Sequence, residues 1–118
     1  FRYIQNSIVL ICDYLDIDTE IIVSSTVAAN HDLISQDRVL ALCEALGANT
    51  YVNASGGMEL YSKEIFQQKG INLKFIQSKS FEYAQFNNDF VPWLSVIDVV
   101  MYNSVEVIQE QLTKVDIV

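Results

Sequence analysis

Three short apolar runs, over residues 20–25, 50–53 and 71–76, are separated by segments whose apolar residues recur every three or four positions. That alternation constrains the chain more than any other feature. Strands that alternate with helices need crossover connections, so they lie parallel in one sheet with helices packed on it. The expected fold is α/β: a small three-layer, Rossmann-like half with a mainly parallel sheet of about three strands, followed by C-terminal helices. A single domain over residues 1–118 is expected, because this length supplies one substantial core but not two.

Phe1, Ile4, Ile8, Ile11 and Leu15 form the apolar stripe of an amphipathic first helix, widened by Tyr3, Leu10 and Tyr14. Ile21, Ile22 and Val23 are a continuous β-branched run, which fits a central strand of a parallel sheet. Ser35 is the expected N-cap of a helix over 36–46, with Val39, Leu42, Cys43 and Leu46 on its buried face and Gly47 closing it in a left-handed conformation. The strand over 50–53 runs into the turn Ala54-Ser55-Gly56-Gly57, and a helix is expected over 58–68. Ile71, Leu73 and Phe75 alternate with Asn72 and Lys74, giving a strand buried on one face. Residues 78–93 crowd aromatics with amides and read as a long ordered loop ended by Pro92. Helices follow over 94–102, where Ser95 and Asp98 have capping-box spacing, and over 105–112 after Ser104. The tail to Val118 is expected to fray.

Charge narrows the function. The net charge is −8 and the seven Lys and Arg are scattered, so nucleic acid and anionic membrane surfaces are disfavoured as partners. A local basic pocket for a small anion stays open. Cys12 and Cys43 sit among apolar neighbours and read as reduced buried thiols, with a disulfide or a reactive thiol as the alternative. No Cys/His spacing supports a metal site, and no motif names a cofactor. The apolar run over 8–11 is too short to span a membrane and is followed by Asp13, so no membrane insertion is expected. The chain opens at Phe1 inside a helix, which reads as an excised part of a longer cytoplasmic protein.

Four groups are candidates for chemistry. The Ser55-Gly56-Gly57 turn lets a ligand approach the backbone, and a helix starting behind it would offer free N–H groups to an anion. It lacks the spacing of a dinucleotide or P-loop motif, so a purely structural turn remains the alternative. Ligands in open α/β sheets sit beyond the carboxyl ends of strands, which adds Ser24, Ser25 and Asn53 to this group. His31, the single histidine, lies next to Asp32 and is either a general base oriented by that carboxylate or a solvated loop residue. In the aromatic loop, Tyr83, Gln85, Asn87, Asn88 and Trp93 have the chemistry of a sugar-binding surface, or they simply pin the loop. Asp98 is either a catalytic carboxylate or a helix cap.

An ordered set of segments carries a family resemblance. Leu46-Gly47-Ala48-Asn49-Thr50-Tyr51 comes first, then Gly56-Gly57 with Tyr61, and Phe66 with Gly70-Ile71. Tyr83-x-Gln85 and Phe90-Val91-Pro92-x-Leu94-Ser95-x-Ile97-Asp98 follow. Over residues 19–103 the chain resembles the carboxy-terminal half of the WbqC-like family of bacterial proteins. Three places depart from the family pattern: Asn53 in the turn, Phe81-Glu82 where a His-Pro pair is usual, and Tyr102-Asn103-Ser104 after the Asp98 helix. The chain also lacks the family's N-terminal motif of His, Gln, Pro and Tyr. The resemblance implies a role in building O-antigen and related surface polysaccharides, on a nucleotide-linked or lipid-linked sugar.

The first functional expectation is therefore a group-transfer enzyme acting on a nucleotide-linked or amino sugar. Asp98 or His31 would serve as acid or base. A phosphate would lie near Ser55, Gly56 and Gly57, and Tyr83, Gln85 and Asn53 would orient the sugar. The second is a non-catalytic binding or oligomerisation domain, in which the broad apolar first helix meets the missing N-terminal half or a second copy in a homodimer.

Overall fold

The structure is a computed structural model that describes all residues, Phe1–Val118. Five α-helices and a three-stranded sheet make a mixed α/β protein. The chain forms two compact units: Phe1–Glu20 with Ser78–Val115, and Ile21–Gln77 with Asp116–Val118.

The sheet belongs to the second unit. Strands β1 (Thr50–Ala54) and β2 (Asn72–Ser78) pair in parallel, with Tyr51 opposite Leu73 and Asn53 opposite Phe75. The third strand, β3 (Val115–Ile117), lies beside β2 in the order β1-β2-β3. Phe75 and Val118 exchange both backbone hydrogen bonds, at 2.8 and 3.0 Å, which is the reciprocal pair of an antiparallel ladder. The sheet is thus one parallel pair with an antiparallel edge, and of the mainly parallel arrangement expected only β1–β2 is found.

The expected strand over 20–25 does not form. Ile21 and Ile22 are 44% and 46% exposed, and Ser24–Thr26 wind into a single 3-10 turn. The cause is local. The Thr26 hydroxyl donates to the Val23 carbonyl at 2.8 Å, and the Thr26 N–H donates to the same oxygen at 2.9 Å. Hydroxyl side chains that bond nearby backbone compete with a strand ladder in this way. The edge beside β2 is taken instead by the C-terminal tail, through Val115–Ile117 and the Phe75–Val118 hydrogen bonds, so the tail is held rather than frayed.

The core of this unit follows the alternation read from β2. Ile71, Leu73 and Phe75 are each 3% exposed and pack with Leu40, Cys43 and Phe66. Burying each large apolar side chain contributes about 1.5–3 kcal/mol. Helix α2 (Ser35–Ala45) supplies Leu40 and Cys43, whereas Leu46, expected on the buried face, is 52% exposed. Ser35 opens α2 with φ +51° and makes no capping bond. Tyr51 stacks on Phe66 with centroids 5.6 Å apart, and Tyr61 meets both rings edge-on. Helix α3 is shorter than expected, Lys63–Gln68, because Ser62 caps it: the Ser62 hydroxyl accepts the Ile65 N–H.

The first unit holds α1 (Arg2–Tyr14), α4 (Val96–Tyr102), α5 (Val105–Leu112) and the long aromatic loop between β2 and α4. Leu15 and Ile108 are its buried aliphatic residues, and the Gln109 side-chain amide donates to the Leu15 carbonyl at 2.9 Å. The stripe of α1 enters the interior only at its C-terminal end. Phe1, Ile4 and Ile8 are 81%, 64% and 50% exposed, and no residue of α1 is buried. Cys12 is half-buried and Cys43 buried, and both are free thiols. Burial, followed by the neighbouring Glu44 charge, pushes the Cys43 thiol above its ordinary value.

Candidate functional site

The long loop of the first unit is organised by Gln85, the one buried polar side chain of the chain. Its Oε1 accepts the Val91 N–H at 2.8 Å, and its Nε2 donates to the Val91 carbonyl at 3.1 Å. One amide side chain thus pairs with both backbone groups of Val91, as a neighbouring strand would, and holds the loop just before Pro92. On either side of this clamp Phe86 and Trp93 adopt left-handed backbone conformations, at φ +56° and +60°. That region costs a bulky L-residue of order 1–3 kcal/mol. Both aromatic side chains are exposed, at 79% and 71%.

The same Gln85 Nε2 also donates to Oδ2 of Asp98 at 2.9 Å, and the Tyr83 hydroxyl donates to that oxygen at 2.6 Å. Tyr83, Gln85 and Asp98, three of the residues singled out from sequence, are therefore brought together. Ser95 places the carboxylate: it N-caps α4, accepting the Ile97 N–H at 3.2 Å. The capping-box spacing is present, but the Asp98 carboxylate is turned to Tyr83 and Gln85 rather than back to the Ser95 backbone. The hydrogen bond to Asp98 is the first cause that raises the Tyr83 phenol above its ordinary value, with burial second. The carboxylate favours a proton-bearing partner.

Around this trio the aromatics pack in tilted and edge-to-face pairs. Tyr83 lies 5.2 Å from Phe81 and 5.2 Å from Phe90, and Phe86 meets Tyr102 edge-on at 5.1 Å. Asp98 opens onto a groove of about 630 Å³ whose walls include Phe86, Leu94, Ile97, Met101 and Tyr102. Sequence reading missed these wall residues. Their signal is the spacing of Met101 and Tyr102 three and four positions after Asp98, which puts them on its face of the helix. Leu94, Ile97 and Met101 are also half or more exposed, where a helix stripe would ordinarily be covered.

In the second unit, Asn53 and Gly57 meet. The Asn53 Oδ1 accepts the Ala54 N–H at 2.8 Å. A Cβ at Gly57 would lie 2.6 Å from Nδ2 of Asn53 and 3.2 Å from the Tyr61 ring, so any larger residue there must displace the Asn53 amide. Gly56 faces open space. Ser55–Gly57 form one 3-10 turn, and the next α-helix starts only at Lys63. The expected helix directly behind the turn, the source of its free N–H groups, is absent. Ser24 and Ser25 sit exposed on their own 3-10 turn.

His31 does not pair with Asp32. Its Nε2 lies 2.9 Å from the Val27 carbonyl, which can only accept, so Nε2 carries the proton. Its Nδ1 is buried without a partner, and the Asp32 N–H is held by Asn30 Oδ1 at 3.0 Å in an Asx turn. No group of three or more His, Cys, Asp or Glu is placed to hold a metal ion.

Fold and site together define a mixed α/β protein in which helix α4 presents a carboxylate, hydrogen-bonded by the aromatic loop, to an apolar groove. The chain belongs to the WbqC-like protein family, whose model matches residues 1–110. That match takes in α1 and most of α5, beyond the segment 19–103 that carries the sequence motifs. No curated protein and no solved structure matches the chain.

Proposed function

We propose that this is a cytoplasmic protein of bacterial surface-polysaccharide (O-antigen) biosynthesis, acting in group transfer on a nucleotide-linked or amino sugar. The observation that carries the reading is the Asp98 carboxylate, fixed by Tyr83 and Gln85 at the edge of an aromatic-walled groove. Aromatic faces stack on sugar rings, and a carboxylate accepts hydrogen bonds from their hydroxyl or amino groups. Asp98 is assigned the role of base. It takes the proton of an acceptor hydroxyl or amine as that atom bonds to the transferred group, while the bond to the leaving group breaks with its electron pair. His31 is the weaker candidate for the same role, because its Nε2 is engaged by Val27 and its Nδ1 is shut from solvent. The parallel β1–α3–β2 unit is read as the Rossmann-like part of the fold. Its Ser55-Gly56-Gly57 turn, with Ser24, Ser25 and Asn53, remains a separate candidate contact for an anion.

The test is a thermal-shift screen against nucleotide sugars, free amino sugars and free phosphate, repeated on two variants. A ligand that binds only the folded chain raises Tm by mass action, by about 2.7 kcal/mol of stability at a hundred times its Kd. The expected result is a shift with a sugar-containing ligand that Asp98→Asn removes. Gly56→Ala, which adds a methyl into open space, removes the shift with free phosphate only if the turn holds an anion. No shift with any sugar sinks the reading. A second reading, a binding or oligomerisation domain, is favoured by one observation, the uncovered apolar stripe of α1.

A further inference from the structure

Two neutral donors hold Asp98: its Oδ2 accepts from the Tyr83 phenol and the Gln85 amide, and no Lys or Arg lines the groove. The groove walls are apolar and aromatic, and Phe86, Ile97 and Met101 among them are more than half exposed. A phosphate or carboxylate there would meet a like charge with no Lys or Arg on the groove wall to offset it. A neutral hydroxyl would satisfy the carboxylate's lone pairs but not its charge. A protonated amine does both, and a charge-assisted hydrogen bond is roughly twice as strong as a neutral one. The exposed Phe86 ring and the Tyr102 ring both line the groove, and the face of such a ring attracts a cation.

We infer that the groove beside Asp98 binds an organic ammonium group, so that its ligand is an amino compound with a free, unacylated amine and not the phosphate end of a nucleotide-linked donor. This rests on the reading of the same groove as a sugar site, and it narrows the substrate class there. The ammonium sits against Asp98, and the ring or chain that carries it lies along Phe86, Ile97 and Met101. The acceptor in group transfer is then the amine once it gives up a proton. The nucleotide-linked donor is held elsewhere.

The experiment is a ligand-observed NMR titration of the whole chain with four probes: glucosamine, glucose, N-acetylglucosamine and cyclohexylamine. The expected order puts glucosamine at least tenfold tighter than glucose and N-acetylglucosamine. Asp98→Asn, which keeps an acceptor for Tyr83 and Gln85, should abolish that preference. Ile97→Lys leaves the trio intact and brings a positive charge to the groove wall. It should weaken glucosamine by a similar factor while leaving glucose unchanged. Equal affinities for glucosamine and N-acetylglucosamine overturn the ammonium inference and leave the sugar site standing. Cyclohexylamine binding as tightly as glucosamine supports the ammonium inference and removes the sugar reading. A folded chain that binds none of the four overturns both.

Discussion

Tyr83 and Tyr51 show how a single hydroxyl reports its surroundings. The Tyr83 phenol is raised chiefly by its hydrogen bond to Asp98, and Tyr51 is pushed up to about 12, chiefly by burial and then by neighbouring Tyr61. A phenol whose folded pKa lies above its unfolded value favours the fold while it stays protonated. The stability it contributes is fully present below about pH 10, the ordinary phenol value. For Tyr51 it is lost as pH climbs toward about 12. Denaturant melts at rising pH should therefore show stability falling through that interval, with a shallower fall in Tyr51→Phe. Tyrosinate absorbance should place Tyr83 above an ordinary tyrosine, and Asp98→Asn should lower it. A Tyr83 titration unchanged by Asp98→Asn would remove the hydrogen bond as its cause.

At the scale of elements, three helices stop by the same device. In α1, α2 and α3 the residue after the C-cap is left-handed: Asp16 at φ +53°, Gly47 at +65° and Gly70 at +73°. The following N–H reaches back to the third-last helical carbonyl in each case: Ile17 to Cys12 at 2.9 Å, Ala48 to Cys43 at 2.9 Å and Ile71 to Phe66 at 3.0 Å. This is the Schellman closure. Two of the three use glycine, which takes that conformation without penalty, and Asp16 takes it at some cost. Gly47→Ala should lower stability by about 1 kcal/mol, and Asp16→Gly should hold or raise it. Chemical denaturation midpoints check both, and an Asp16→Gly variant weaker than Gly47→Ala would show that the Asp16 side chain has another role.

For the whole molecule, the unusual feature is apolar surface on an acidic chain. Phe1, Tyr3, Ile4, Ile8 and Leu10 of α1 are all at least half exposed, while the net charge is −8. An exposed apolar stripe such as Phe1, Ile4 and Ile8 is a candidate contact surface, and net charge keeps such chains apart at low salt. Light scattering during size exclusion should show self-association that grows with salt concentration and is abolished by Ile4→Glu with Ile8→Glu. A strictly monomeric chain at high salt would remove a second copy as the cover of α1. No helix is long and apolar enough to cross a membrane.

Much of this was legible in the sequence, and the misses have physical reasons. Period-three-and-four and period-two patterns located α1, α2, β1, β2, α4 and α5, because those periods reflect which side chains share a face. The set of short motifs identified the family. The Tyr83-x-Gln85 and Ser95-x-x-Asp98 pairs named residues that the structure brings into one hydrogen-bonded trio at the Ser95-capped helix. Local pattern could not say that Ile21–Val23 would go unpaired, because pairing is a competition between distant segments. The tail at Val118 won the edge of β2 through backbone bonds that carry no side-chain signal. Nor could it say that one amide would clamp Val91 and hold Asp98 at once, or that Met101 and Tyr102 would wall a groove. Sequence alone determined the buried face of β2, the helix stop at Gly47, and the family. Which strand completes the sheet, and what Asp98 faces, was decided only by tertiary structure, where contacts between distant residues outweigh local preference.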